Sequence, residues 1–112
     1  MKIQTTEYTI DCRDAEPYAK LSGVLRLASP AAYEHAFAPI RKHLAATLGA
    51  YTLDVAQLTF MNSSGITGLS RLVMQARSDS RELVIVVSDT VPWQRKTFGS
   101  LQKLYPKLQI RN

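Results

Sequence analysis

Five consecutive apolar residues, Leu83 to Val87, constrain the fold of this chain more than any other feature. The segment Glu82–Ser88 around them shows no alternation of apolar and polar side chains, so the strand that it predicts is buried on both faces. Such strands occur in parallel or mixed sheets covered by helices. The rest of the chain therefore has to supply partner strands and covering helices.

Alternating or β-branched segments predict the partner strands. From Lys20, the segment 18–27 alternates well and predicts a half-buried strand in which Gly23 marks a weak position or a bulge. The β-branched and aromatic segment 51–55 begins a strand that ends at 59–61. Weak alternation at the start of the chain and clean alternation near its end predict an edge strand over 2–10 and a last strand over 107–111.

The first helix is predicted from Ser29, an N-cap that is followed by a proline. Pro39 lies inside this helix, and an interior proline costs about 3 kcal/mol, which predicts a kink or break near Phe37. Gly49 can end the helix in the left-handed conformation. Its apolar stripe is Tyr33, Phe37, Ile40, Leu44 and Leu48.

Two further helices are predicted by apolar spacing. One follows the polar turn after the strand that begins at Tyr51, and the other is capped by Asp89 or Thr90, has Pro92 in its first turn and ends at Pro106. The inward residues of the helix after the polar turn are Ile66, Leu69, Leu72, Val73 and Ala76. Those of the helix that begins near Pro92 are Phe98, Leu101, Leu104 and Tyr105.

The element order β-β-α-β-α-β-α-β predicts an α/β fold. We expect one domain over residues 1–112, with a four- to five-stranded mixed, largely parallel sheet and about three helices packed on it. Hydrophobic and charged contents of 46% and 21% are ordinary for a globular protein. No apolar run approaches the roughly 18 residues of a membrane span.

The turn between the strand that ends at Met61 and the next helix contains three residues that favour helix N-caps: Asn62, Ser63 and Ser64. The first backbone N–H groups of the helix face this turn, and the helix end carries roughly half a positive elementary charge. A hydroxyl at this position is therefore well placed to carry a negative group.

The run Phe60-Met61-Asn62-Ser63-Ser64-Gly65-Ile66, after Leu53-Asp54-Val55, resembles the signature of the STAS domain (sulphate transporter and anti-sigma factor antagonist). The usual signature of that family is Asp-Ser-Ser/Thr-Gly-Leu entering a helix, and this chain has Asn62 in place of the Asp. The Leu-Ser-Gly-Val-Leu segment resembles the second strand of the same family, and the element order matches.

The resemblance implies a bacterial, cytoplasmic partner-switching regulator of transcription with no cofactor. In the antagonist branch, a partner serine kinase that is also the anti-sigma factor phosphorylates the residue that corresponds to Ser64, and a phosphatase can reverse it. The resemblance assigns partner binding to Asn62, Ser63, Ser64 and Gly65. Phosphorylation at Ser64 then releases the partner, so the protein is a substrate and binder and not an enzyme. The alternative within the family is a phosphorylation-independent adaptor, such as a small subunit of a membrane lipid-transport complex.

Other function classes fit the residues less well. Ser64 lacks the flanking glycines of a Gly-x-Ser-x-Gly nucleophile turn, and His35 and His43 are too far apart along one helix to chelate a metal. The net charge of +5 and pI near 9.6 attract acidic partners, but the basic residues are scattered and no nucleic-acid-binding module is recognisable. Arg71 and Arg77 are candidate contacts for an acidic partner.

The remaining sequence features favour a reduced, cytoplasmic setting without membrane insertion. Cys12 is the single cysteine, so no intrachain disulfide is expected. The segment Met1–Thr6 lacks the apolar region of a secretory signal.

Overall fold

The computed structural model describes all 112 residues and has the element order β-β-β-α-β-α-β-α-β. The strands are β1 (Lys2–Gln4), β2 (Tyr8–Cys12), β3 (Tyr18–Leu25), β4 (Tyr51–Met61), β5 (Leu83–Val86) and β6 (Gln109–Arg111). The helices are α1 (Pro30–Ala46), α2 (Ser63–Ser78) and α3 (Pro92–Ser100), and a short 3-10 helix, Leu101–Lys103, follows α3.

The six strands form one sheet in the order β1-β2-β3-β4-β5-β6. The pairs β1–β2 and β2–β3 are antiparallel, whereas β3–β4, β4–β5 and β5–β6 are parallel. The predicted α/β fold with a mixed, largely parallel sheet and three helices is therefore confirmed. The sheet has six strands, one more than the upper end of the prediction.

The additional strand arises because the segment 2–10, predicted as one edge strand, folds into the β1–β2 hairpin. The Thr5 hydroxyl accepts hydrogen bonds from the backbone N–H groups of Glu7 (3.2 Å) and Tyr8 (3.0 Å). The Thr5 N–H also donates to the Tyr8 carbonyl at 2.9 Å. A threonine hydroxyl that bonds nearby backbone in this way stabilises a turn, so the strand ends and reverses direction.

The helices and the sheet form two layers. From β3 to β6, each crossover moves the chain one strand further toward the same edge of the sheet. Right-handed crossovers of this kind place all three helices on one face. A single cluster of 26 buried residues includes side chains from every helix. On the other face Val84 is buried, whereas Thr52, Asp54 and Val86 are half-buried. The predicted burial of β5 on both faces therefore holds for residues 83–85 and not for Val86, although the three helices lie on one face.

Helix α1 continues through Pro39, so the predicted break near Phe37 does not occur. Its apolar face is fully buried at Tyr33 and Phe37 and nearly so at Ile40, so tertiary packing compensates for the hydrogen bond that the proline removes. The helix ends at Ala46, and Gly49 has the expected positive φ of 83° three residues later. The stripe stops at Leu44, and Leu48, predicted to be buried, is 89% exposed.

Helix α3 begins at Pro92, as expected, but neither Asp89 nor Thr90 caps it. Val91 occupies the N-cap position without a side-chain hydrogen bond. Asp89 instead pairs with Arg95 at 3.1 Å. The α-helix also ends at Ser100, before the predicted stop at Pro106.

Strand β4 is irregular where it approaches the turn. Its pairing with β3 shifts register twice, between Lys20 and Ser22 and again after Gly23, which has φ of 90°. Gly23 therefore lies at a bulge, one of its two predicted roles. A Cβ atom at Gly23 would lie 2.2 Å from the Glu7 carbonyl oxygen, so only glycine fits.

The side chain of Gln94, which is fully buried, bonds the backbone that this irregularity leaves unpaired. Its amide nitrogen donates to the carbonyl oxygens of Val55 and Leu58, both at 2.7 Å. Its amide oxygen accepts from the Ser88 N–H, also at 2.7 Å. Buried carbonyl and N–H groups are costly when unbonded, so Gln94 compensates for the broken ladder.

None of the three α-helices is both long enough and apolar enough to cross a lipid bilayer.

Helices α1 and α2 approach closely at two glycines of α2. A Cβ atom at Gly65 would lie 2.4 Å from Met61 Cγ and 2.9 Å from Tyr33 Cε1. At Gly68, the nearest Phe37 ring atom would be 3.1 Å away. The absence of side chains at these positions therefore allows the aromatic residues of α1 to contact the α2 backbone.

We expect Gly65→Ala to lower the free energy of unfolding by about 1–3 kcal/mol, because the added methyl group overpacks the contact with Met61 and Tyr33. Urea denaturation followed by circular dichroism measures this change.

The matched control is Gly99→Ala in α3, where no atom lies within 4 Å of the added methyl group. It should raise the free energy of unfolding by up to about 1 kcal/mol, because alanine has the higher helix propensity. Equal effects of the two substitutions would contradict the close approach.

Candidate functional site

The candidate site is the junction between β4 and α2. Met61 ends β4, Asn62 is the N-cap of α2 in an extended conformation, and Ser63 is the first helical residue. Because β3, β4 and β5 are parallel, the junction lies at the edge of the sheet formed by their carboxyl ends. In open α/β sheets, ligands bind outside the carboxyl ends of the strands.

Asn62 alone caps α2 with its side chain. Its Oδ1 accepts from the Gly65 N–H at 3.2 Å and from the Tyr33 hydroxyl at 2.6 Å. Its Nδ2 donates to the Leu27 carbonyl at 3.0 Å. These three bonds use both ends of the amide, and they also fix its orientation, because only the oxygen can accept and only the nitrogen can donate.

Tyr33 completes this network from α1. Its hydroxyl accepts from the Leu27 N–H at 3.2 Å while it donates to Asn62. Burial raises the pKa of the Tyr33 phenol, so the phenol keeps its proton and remains a donor throughout the neutral range. The network connects the segment after β3, the first turns of α1 and the start of α2.

The four predicted site residues differ in their exposure to solvent. Ser63 is exposed and Ser64 is half-exposed. Gly65 is buried against Met61, and the polar atoms of Asn62 are engaged inside the protein. The junction therefore presents its two serines to solvent, whereas Asn62 and Gly65 shape the turn from within.

The Ser64 hydroxyl is free. It forms no hydrogen bond within the protein, and its oxygen is not buried, so solvent reaches it. No acidic residue lies in the first turn of α2, a helix of 16 residues. The positive end of the helix dipole is thus not neutralised by a side chain of its own first turn.

Phe60 and Met74 are exposed apolar side chains on the two elements that meet at the junction, and the local sequence pattern did not identify them as part of the site. Phe60, two residues before the N-cap, is 47% exposed, and Met74 on α2 is 43% exposed. Phe60 faces outward because the second register shift of β4 changes which side chains point into the core. The same shift lies beside Trp93, whose indole N–H donates to the Thr59 carbonyl at 3.0 Å.

The two arginines proposed for an acidic partner already have contacts within the protein. Arg71 forms an ion pair with Glu34 of α1. Arg77 donates to the Leu104 carbonyl at 3.0 Å. Both side chains remain exposed, so a partner would have to compete with these contacts.

The histidines do not form a metal site, and no group of three or more His, Cys, Asp or Glu side chains is placed to share an ion. His35 is exposed. His43, expected to be solvated, is half-buried, and its Nδ1 lies 2.8 Å from the Tyr51 hydroxyl. Cys12 is buried, and this burial raises the pKa of its thiol.

We expect Asn62→Asp to lower the free energy of unfolding by about 1 kcal/mol. The carboxylate keeps the cap but places an acceptor against the Leu27 carbonyl, which costs about 1–3 kcal/mol, and the helix dipole offsets about 0.3–1 kcal/mol of this. Urea denaturation at neutral pH measures the change.

Ser29→Asp is the matched control. Ser29 caps α1 by accepting from the Ala32 N–H at 3.2 Å, and its side chain donates no hydrogen bond. An aspartate there should be neutral or stabilising. An Asn62→Asp variant as stable as the parent protein would show that the bond to Leu27 contributes nothing.

We expect Ser64→Asp to raise the free energy of unfolding by about 0.5 kcal/mol at low ionic strength, because the charge lies at the positive end of α2. Ser64→Asn, which has the same shape without the charge, should not. The difference should shrink in about 1 M salt, where the Debye length is about 3 Å. Destabilisation by the aspartate would mean that the fold does not tolerate a negative group at this position.

No protein-family model matches this sequence, and no curated protein matches it significantly. The resemblance to the STAS domain therefore rests on the residues of the β4–α2 junction, the Leu-Ser-Gly-Val-Leu segment and the order of the elements, and it remains a prediction.

Proposed function

We propose that this protein is an interaction module of the anti-sigma factor antagonist type, which binds a partner serine kinase and is released from it by phosphorylation of Ser64. The observation that carries the proposal is the free, solvent-accessible hydroxyl of Ser64 in the first turn of a helix that a different residue, Asn62, caps. In this proposal the protein acts in the bacterial cytoplasm, without a cofactor, and a phosphatase restores the binding form.

The division of roles between Asn62 and Ser64 makes phosphorylation compatible with the fold. Because the Ser64 hydroxyl bonds nothing in the protein, its modification breaks no native hydrogen bond. A phosphoserine adds about −1.5 to −2 charges at neutral pH. At the positive end of α2, with no carboxylate in the first turn, such a group is stabilised locally.

The same group is poorly tolerated by a docked partner. Phe60, four residues before Ser64, offers exposed apolar surface near the junction, and burial of such side chains is what stabilises an interface. A phosphate in that interface would have to lose its hydration and would need a cationic partner. Phosphorylation therefore weakens the complex while the protein remains folded.

The surroundings of Ser64 favour its role as a substrate of another enzyme over a role as a nucleophile. Activation of a serine requires a base within hydrogen-bond reach. The Ser64 hydroxyl bonds neither histidine of the chain, and the Nδ1 atom of His43 is already engaged with Tyr51. In the proposed reaction, the kinase supplies ATP and magnesium.

A second candidate function is a phosphorylation-independent adaptor, such as a small subunit of a membrane lipid-transport complex. The observation that favours it is Asn62 in place of the family's aspartate, because both polar ends of this side chain serve the fold. In such an adaptor the junction would bind its partner permanently, and Ser64 would only border the interface.

The test of modification is incubation with ATP, magnesium and a serine kinase of the anti-sigma factor class from the same organism, followed by intact-mass measurement. We expect one added phosphate on the parent protein and on Ser63→Ala, and none on Ser64→Ala. Equal phosphorylation of Ser64→Ala, or no phosphorylation of the parent protein, would overturn the proposal.

The test of switching compares two Ser64 variants in binding to the same kinase. Ser64→Asn should bind as the parent protein does, whereas Ser64→Asp should lose at least tenfold in affinity, about 1.4 kcal/mol. Calorimetry with both variants measures this. Unchanged binding of Ser64→Asp would favour the adaptor instead.

A further inference from the structure

A second region of the protein has the features of a small-molecule site. A cavity of about 820 Å³ lies between α1 and the β1–β2 hairpin, and seven of its ten lining residues are hydrophobic. Small-molecule sites typically have volumes of about 300–1,000 Å³ and mostly apolar walls. We call this cavity the α1 groove; its apolar walls include Ile3 and Tyr8 from the hairpin, Leu27, and Ala36, Ala38 and Pro39 from α1.

The sequence of α1 creates the space. Ala32, Ala36 and Pro39 recur at steps of four and three, so small side chains form one stripe of the helix. The hairpin side chains do not fill the volume above this stripe, which leaves apolar surface uncovered. An occupant with an alkyl chain would remove that surface from water, which is favourable.

The α1 groove has a basic side chain in its lining and no acidic one. His35 and Lys42 line it, and no acidic residue does. Lys42 forms no ion pair in the structure, and its spacing of seven residues from His35 places the two side chains two turns apart on the same side of α1. An acidic side chain, Asp14, enters only a smaller adjoining cavity that Lys42 also borders.

We propose that the α1 groove binds a single-chain anionic amphiphile with the chemistry of a fatty acid, the alkyl chain against the apolar walls and the carboxylate at Lys42. Apolar walls with one unpaired primary amine complement such a molecule in both shape and charge. This activity is additional to the proposed switch at Ser64 and does not depend on it. The two regions nonetheless share Leu27, whose side chain lines the groove and whose backbone bonds Tyr33 and Asn62.

The test is calorimetric titration of the full-length protein with dodecanoate below its micelle concentration, at low ionic strength. We expect one molecule bound per chain. Lys42→Gln should weaken binding about fivefold, the upper end of the range for an exposed ion pair, and Lys96→Gln on α3 should leave it unchanged. Dodecanol and dodecyltrimethylammonium should bind more weakly than dodecanoate.

Two further variants of α1 locate the site. Ala38→Phe places a ring in the groove and should abolish binding, whereas Ala45→Phe, on an exposed part of the same helix, should not. Thermal unfolding of both variants, followed by circular dichroism, verifies that they are folded.

The proposal is overturned if the parent protein does not bind dodecanoate, if the cationic amphiphile binds as tightly, or if Ala38→Phe binds as the parent does. It is also overturned if the groove proves to be an interface between copies of the chain. In that case sedimentation would show a concentration-dependent dimer. Dodecanoate would not dissociate this dimer, whereas the Ala38→Phe substitution would.

Discussion

The hydrogen bond from the Tyr33 hydroxyl to the Asn62 side chain is the interaction on which the rest of the structure depends. Through these two residues and the backbone of Leu27, it connects the segment after β3, helix α1 and the start of α2. The bond is possible because Gly65 and Gly68 allow α1 to lie close against α2. These contacts therefore fix the start of α2, and with it the two serines, relative to the sheet.

This arrangement separates the residues that the fold needs from those that are accessible at the surface. Asn62 and Gly65 are used for capping and packing, so changes at either are felt by the whole helix pair. Ser64 carries neither task, and solvent reaches its hydroxyl at the positive end of α2. A switch works best on such a residue, because its modification changes the surface without changing the fold.

The long-range features of the molecule show where inference from local sequence ends. Local spacing identified α1 but not its continuity through Pro39, because packing against the sheet and α2 outweighs the lost hydrogen bond. The outward direction of Phe60 depends on the pairing of β4 with β3, and the buried amide of Gln94 follows from the same register shifts. The turn of the β1–β2 hairpin is stabilised by the hydroxyl and the backbone N–H of Thr5.

By itself the sequence determined the α/β class, the parallel strands from β3 onward, the three helices and the place of Ser64 at a helix start, because periodicity and capping preferences act over a few neighbouring residues. Only the tertiary structure decided that Asn62 alone is the cap and that its amide donates to Leu27. It alone also placed a groove between α1 and the hairpin. Those features join segments about 30 residues apart, and they depend on how closely the elements pack once the core has formed.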